Sequence, residues 1–209
     1  MILHGYFRSS AAWRVRIVLA LKGLEAEQRF QHLRHGEQRS AEYLAINPQG
    51  LLPSLILDDG TVLTQSLAIC EYLDERHPDP PLLPTDLIQR AKVRAFSQAI
   101  ACDIHPVQNL SVLKRLQALG HTPDETQTWA HDVIAGGFDA LEALVADTAG
   151  PFAFGDRPTL ADVLLVPQMA NARRFGVDLR WPRLKAIEAA CLALPAFADT
   201  RPELQPDAE

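Results

Sequence analysis

Cysteine is scarce in this chain: Cys70, Cys102 and Cys191 are odd in number and far apart, with no CxxC and no Cys/His ligand spacing. That excludes a disulfide framework and the usual zinc sites, so no metal is expected and the three are read as buried small hydrophobes. Long apolar runs are missing too, the longest spanning only a few residues, whereas a bilayer crossing takes roughly 20. No membrane partner is therefore expected. Nor is there a basic excess: the formal charge is −6, split −2 over residues 1–84 and −4 over the remainder. Nucleic acid is an unsuitable partner for such a surface. The stretch Met1-Ile2-Leu3-His4-Gly5-Tyr6 shows no basic leader followed by a small-residue cleavage site, which makes the cytoplasm the expected location. Repeats and low-complexity segments are also absent.

What is present suffices for one or two cores, with 209 residues of which 47% are apolar. Residues 2–6 read as a short strand, followed by a helix from about Ser10 to Lys22 that Gly23 stops. Gln28 to Leu33 reads as a second strand with Phe30 and Leu33 facing the core, so the three elements form a βαβ unit with parallel strands. A polar loop around Gly36 and a short helix over Ala41–Ile46 come next. Two apolar runs hinged on Asp59-Gly60 then signal a hairpin, with Pro53 at its entrance, where a cis peptide is one way into the strand. Gln65-Ser66 precede a helix to Arg76.

The order βαβ then ββα is that of a thioredoxin-like domain, placed here at residues 1–80. Four prolines in His77–Pro84 make a stiff connector. The remainder, 86–209, reads as an all-α domain. Its first long amphipathic stretch holds Pro106, which predicts a break near Ile104. The next, from Pro123, carries Trp129, Val133, Phe138, Leu141 and Leu144, with Gly136-Gly137 as a close-packing point. Thr159-Leu160-Ala161-Asp162 resembles a capping box, and Pro202–Glu209 reads as a loose tail.

The functional candidate is the first strand-to-helix turn, Arg8-Ser9-Ser10-Ala11-Ala12. A helix start offers unpaired N–H groups and a partial positive charge to an anion or thiolate, and two serines add hydroxyls. The same serines also suit plain helix capping. Without a thiol, the turn cannot run disulfide exchange.

A thioredoxin-like domain joined through prolines to an all-α domain resembles the cytosolic glutathione transferases. Arg8-Ser9-Ser10 through Trp13-Arg14-Val15-Arg16-Ile17, Asn47-Pro48-Gln49, Gln65-Ser66-Leu67-Ala68-Ile69, Gln108-Asn109-Leu110-Ser111-Val112-Leu113-Lys114 and Arg174-Phe175-Gly176-Val177-Asp178-Leu179 narrow this to the zeta class, with its maleylacetoacetate and maleylpyruvate isomerases. One position departs: Ala11 stands where the family has a cysteine, which removes side chemistry needing a protein thiol there.

The resemblance implies a glutathione-dependent cis-trans isomerisation of a dicarboxylate diketo acid, maleylacetoacetate, by thiolate addition, rotation and elimination. Maleylpyruvate isomerisation, transfer to small α-halo acids, and a non-catalytic glutathione-binding role stay open, with Ser111 tilting the choice toward maleylacetoacetate. The implied catalytic groups are Ser10, with Ser9 as the alternative thiol donor, and His105 as an electrostatic or general-acid group. Glutathione would be held by Gln38, by Leu52 and Pro53 through added-strand pairing, by Gln65 and Ser66 at a helix start, and by Asn109, four residues from His105 and so on one helix face. Arg8 and Arg174 would take the substrate's carboxylates. Arg14 and Arg16 are expected to pair with the all-α domain or a dimer partner, and a homodimer is implied.

Overall fold

A parallel strand pair opens the chain, β1 (Ile2–Gly5) beside β2 (Glu27–Phe30), with α1 (Ser10–Leu21) as their crossover. Helix α1 begins where Ser9 accepts the Ala12 N–H at 3.2 Å and ends where Gly23 takes a φ of 63°. After the short helix α2 (Ala41–Ile46), the hairpin β3 (Ser54–Ile56) and β4 (Val62–Thr64) completes a sheet in the order β2-β1-β3-β4. Strands β3 and β4 run antiparallel to their neighbours, and α3 (Ser66–Arg76) follows against α1. This is the thioredoxin-like order. The central strand contributes buried Leu3, and Leu55, Val15, Ile17, Val18, Ile69 and Leu73 join it in the core. Edge strand β2 exposes Glu27, Gln28 and Arg29, while Phe30 and Leu33 are only half-buried.

The computed structural model describes residues 1–209, which form two units, Met1–Pro81 with Ala193–Glu209, and Leu82–Leu192. The final segment thus groups with the first unit, where the sequence had placed it in a domain running 86–209. The expectation of a loose tail is corrected by its bonds: the Phe7 N–H donates to Asp207 Oδ2 at 2.8 Å, the Trp13 indole N–H to Thr200 Oγ1 at 3.0 Å, and His32 contacts the Glu209 carboxylate. These partners lie far away in sequence, so no local pattern announces them. Helix α1, packed against α3 and the C-terminal segment, is buried on nearly every side, Arg14 and Arg16 included.

The second unit is helical. Helix α4 (Leu87–Gln98) runs into a π-helical turn, Ala99–Ile104, and the chain breaks at Pro106 before α5 (Leu110–Ala118), as expected for a residue without an N–H. Helix α6 (Pro123–Val145) starts at a capping box of Thr122 and Glu125, and α7 (Leu160–Arg174) starts where Asp162 accepts from the Thr159 N–H and hydroxyl at 2.7 and 2.9 Å. Helices α8 (Pro182–Leu192) and α9 (Pro195–Ala198) follow, the latter in the first unit. The buried stripe of α6 is Thr126, Ala130, Ile134, Phe138, Leu141 and Val145. Trp129 and Leu144 lie off that stripe, 43% and 54% exposed. Trp129 instead donates its indole N–H to the Val107 carbonyl at 3.0 Å, bracing the Pro106 turn. The cysteines also divide: Cys70 and Cys191 are buried, whereas Cys102 is exposed, contrary to expectation.

Candidate active site

Sheet register gathers most of the first unit's candidates. His4 of β1 pairs with Ser54 of β3, which pairs with Thr64 of β4. The Tyr6–Ser9 turn, the Leu52-Pro53 entrance and the Gln65-Ser66 corner therefore leave the sheet at one end.

At the first of these loops the two serines differ in position. Ser9 is the N-cap, its oxygen accepting from Ala12 and its own N–H donating to the Tyr6 carbonyl at 2.9 Å. Ser10 occupies the first helical position and is buried, at 6% exposure. No acidic side chain lies in that first turn to offset the helix's positive end. Arg8 is half-buried, its guanidinium 5.2 Å above the Phe7 ring.

The second loop is braced from below. Tyr43 Oη and Asn47 Nδ2 both donate to the Leu51 carbonyl, at 2.7 and 2.8 Å, and the Leu52-Pro53 peptide is cis. Burial holds the Tyr43 phenol above its usual range, against the opposing pull of its hydrogen bonds with Ser54 and Asn47. Leu52 lies outside both strand registers, so the ladder leaves its backbone N–H and C=O unpaired. Gly50, at a φ of 60°, lets the neighbouring loop close in, since a Cβ there would sit 2.9 Å from the Gln38 carbonyl. On that loop Gln38 buries its Oε1 with no hydrogen-bond partner, an acceptor awaiting a donor.

At the third corner Gln65 is the one non-glycine with positive φ, at 67°, and it donates through Nε2 to Gln49 Oε1 at 3.0 Å. Strain of this kind concentrates where a chain must present a ligand contact. Ser66 begins α3 and accepts from Arg14 Nη1 at 3.2 Å, so a guanidinium backs a helix N-terminus. Arg16 donates through Nη2 to the Phe7 carbonyl at 3.2 Å and through Nε to the Thr200 carbonyl at 3.3 Å, meeting the C-terminal segment.

The second unit holds the other three candidates. The His105 N–H closes the π turn on the Ile100 carbonyl at 2.9 Å. Asn109 is the N-cap of α5, its Oδ1 2.7 Å from the Leu110 N–H. His105 and Asn109 therefore do not share a helix face; the break at Pro106 puts them on opposite sides of a turn. Between them lies Gln108, a residue that the sequence reading quoted but did not single out, buried with Oε1 unpartnered. Nothing in its spacing distinguishes it; only the orphaned acceptor does. Arg174, in the last turn of α7, donates through Nη2 to Asn171 Oδ1 at 2.7 Å and stacks 5.2 Å from the Phe175 ring.

Comparison with known proteins identifies the family. The sequence patterns described as "Glutathione S-transferase, N-terminal domain" and "Glutathione S-transferase, C-terminal domain" match residues 8–76 and 108–190. The chain is 46% identical to a maleylacetoacetate isomerase of Pseudomonas aeruginosa over 99% of its own length and 98% of that protein's. A holo structure of maleyl pyruvate isomerase, a bacterial zeta-class glutathione S-transferase, superposes with a TM-score of 0.97 at 43% identity, covering 100% of both chains. The maleylacetoacetate isomerase of Anaeromyxobacter dehalogenans, solved with glutathione in its active site, gives 0.91 at 48% identity, with 100% of this chain and 97% of that one covered. That protein has also been solved with dicarboxyethyl glutathione and citrate bound.

Proposed function

Because the chain belongs to the glutathione S-transferase family, in its maleylacetoacetate isomerase branch, we propose that it converts maleylacetoacetate to fumarylacetoacetate with glutathione as a regenerated cofactor. The observation that carries the reading is the convergence of three glutathione-sized contacts at one end of the sheet: the serine turn, the unpaired Leu52 backbone and the strained Gln65-Ser66 corner. They fit the tripeptide's chemistry. Leu52 can pair with a peptide backbone, the α3 N-terminus backed by Arg14 suits a carboxylate, and Gln38 Oε1 is an acceptor without a donor.

Bound glutathione supplies a thiolate, the nucleophile whose reversible addition makes the alkene temporarily single. The chain's task is to hold that thiolate near neutral pH, although a free cysteine thiol has a pKa of about 8.5. Ser10, buried at the first helical position, is our thiol donor, and the helix dipole adds to its effect. Arg8 and Arg174 fix the substrate's carboxylates through planar guanidinium forks. His105 stabilises charge developing on the substrate carbonyl, and Asn109 contacts glutathione.

Maleylpyruvate is the second reading, favoured by the close superposition on a maleyl pyruvate isomerase; Ser111 and the P. aeruginosa relative favour maleylacetoacetate. We further propose a homodimer, supported by Leu87 and Ile88, adjacent and 77% and 68% exposed at the start of α4. A cytoplasmic location suits three unpaired cysteines. Initial rates on maleylacetoacetate, maleylpyruvate and a small α-halo acid, each with and without glutathione, test the assignment. The highest kcat/KM is expected for maleylacetoacetate with glutathione; binding of glutathione without turnover of any of the three would replace the enzyme by a binding protein.

A further inference from the structure

We propose that Asp207, near the end of the chain, is a positioning residue for the thiol-activating turn: together with Arg16 it clamps the two peptide groups that flank Phe7, immediately before Arg8 and Ser9. The catalytic consequence rests on the glutathione site proposed above; the clamp itself rests on geometry alone.

Asp207 Oδ2 accepts the Phe7 N–H at 2.8 Å across 200 positions of sequence. On the other side of the same residue, Arg16 Nη2 donates to the Phe7 carbonyl at 3.2 Å. Both peptides around Phe7 are thus fixed by groups outside the turn. What Phe7 carries forward is the site: its ring is the platform 5.2 Å beneath the Arg8 guanidinium, and the Ser9 N–H bonds the Tyr6 carbonyl at 2.9 Å one residue before it. A shift of the Phe7 backbone therefore moves the cation and the serines together. Errors of about an ångström at a reacting centre are costly in rate, so a support of this kind has catalytic weight.

Two further observations favour positioning over simple tail anchoring. Asp207 Oδ1 is buried without a hydrogen-bond partner, a desolvation cost that an apolar residue at 207 would avoid. The segment is also held without it, by Trp13 Nε1 on Thr200 Oγ1 at 3.0 Å, by Arg16 Nε on the Thr200 carbonyl at 3.3 Å, and by fully buried Phe197. Arg16 stays cationic at neutral pH: burial draws its pKa down to about 10, and the Asp207 charge opposes that fall.

The test compares full-length Asp207→Ala, Asp207→Ser and Asp207→Asn with wild type, and uses Glu203→Gln on the same segment as control. Three quantities are read: deuterium exchange at the Phe7 amide, ultraviolet titration of enzyme-bound glutathione's thiol, and kcat and KM for maleylacetoacetate. In the alanine variant, exchange at Phe7 accelerates, the thiol pKa rises, and kcat falls about tenfold while KM stays within about twofold. The serine variant, too short to reach Phe7, gives the same pattern and replaces the alanine variant should that one not fold. Asp207→Asn, whose amide oxygen can accept the same N–H, recovers most of the loss, and Glu203→Gln behaves as wild type. Wild-type exchange and an unmoved thiol titration in the folded alanine or serine variant would overturn the proposal. Absence of wild-type turnover would instead count against the substrate assignment, while exchange and thiol titration still decide the clamp.

Discussion

Two adjacent glycines in α6 make opposite predictions. A Cβ on Gly137 would meet Ile104 Cδ1 at 2.4 Å and Cγ1 at 2.5 Å, whereas one on Gly136 meets nothing within 4 Å. Replacing either by alanine relieves the helix of glycine's entropy penalty, about 0.8–1.0 kcal/mol. Gly136→Ala should keep that gain and raise the melting temperature by roughly 2–4 °C. Gly137→Ala carries the same gain minus an overpacking cost of about 1–3 kcal/mol. The intruded neighbour is a buried, branched side chain, so the upper half of that range applies. The two variants should therefore differ by about 2–3 kcal/mol, or roughly 5–10 °C in melting temperature. Function should follow, because Ile104 ends the π turn that carries His105. In an Ile104→Ala background the clash disappears, since the Ile104 Cβ lies 3.7 Å from the added methyl. Paired thermal and urea melts of the four variants measure this. Equal stability of the two alanine variants, or a gap that persists without the Ile104 side chain, would refute the packing argument.

The serine pair should divide stability from chemistry. Ser9→Ala loses a cap worth about 1 kcal/mol, measured by urea melts, whereas Ser10→Ala raises the pKa of bound glutathione's thiol; an unmoved ultraviolet titration counts against Ser10 as donor. Of the three thiols, only exposed Cys102 should react quickly with a chromogenic disulfide reagent, because burial pushes the Cys70 thiol up to about 12 and holds Cys191, beside Asp162, higher still. Cys102→Ser should abolish the fast phase. His4 is buried beside the Tyr43 ring, which lowers its pKa, so the unfolded chain binds its proton first as pH falls. Its stabilising contribution is complete above an ordinary pKa of about 6.5 and declines below it, by at most about 1.4 kcal/mol per pH unit down to the folded pKa. Urea midpoints of His4→Gln should show a flatter acid limb than wild type; an unchanged limb removes His4 from the account.

Local chemistry made much of the fold legible. Ser9 and Gly23 bracket α1, Asp59-Gly60 marks the hairpin, and Pro106 breaks the first long helical stretch where a missing N–H must. The terminal segment escaped because its hold is non-local, made by Phe7, Trp13 and His32. An apolar count alone does not separate the buried Phe138 and Leu141 of α6 from the exposed Trp129 and Leu144, because small and polar residues, Ala130 and Thr126, complete the buried stripe. At the site, the residue types at the serine turn were readable, but that Ser9 is the cap and Ser10 the first helical residue needed the cap geometry. Gln38 and Gln108 share an orphaned acceptor that only burial reveals, and only Gln38 had been reached through family resemblance.

The central claim is that glutathione acts here as a regenerated catalyst. The direct measurement is product formed per glutathione consumed, with fumarylacetoacetate followed spectrophotometrically and free thiol titrated before and after. Many turnovers with an undiminished thiol count, and none when glutathione is omitted, are predicted. One-to-one loss of thiol, or turnover without glutathione, would contradict the account.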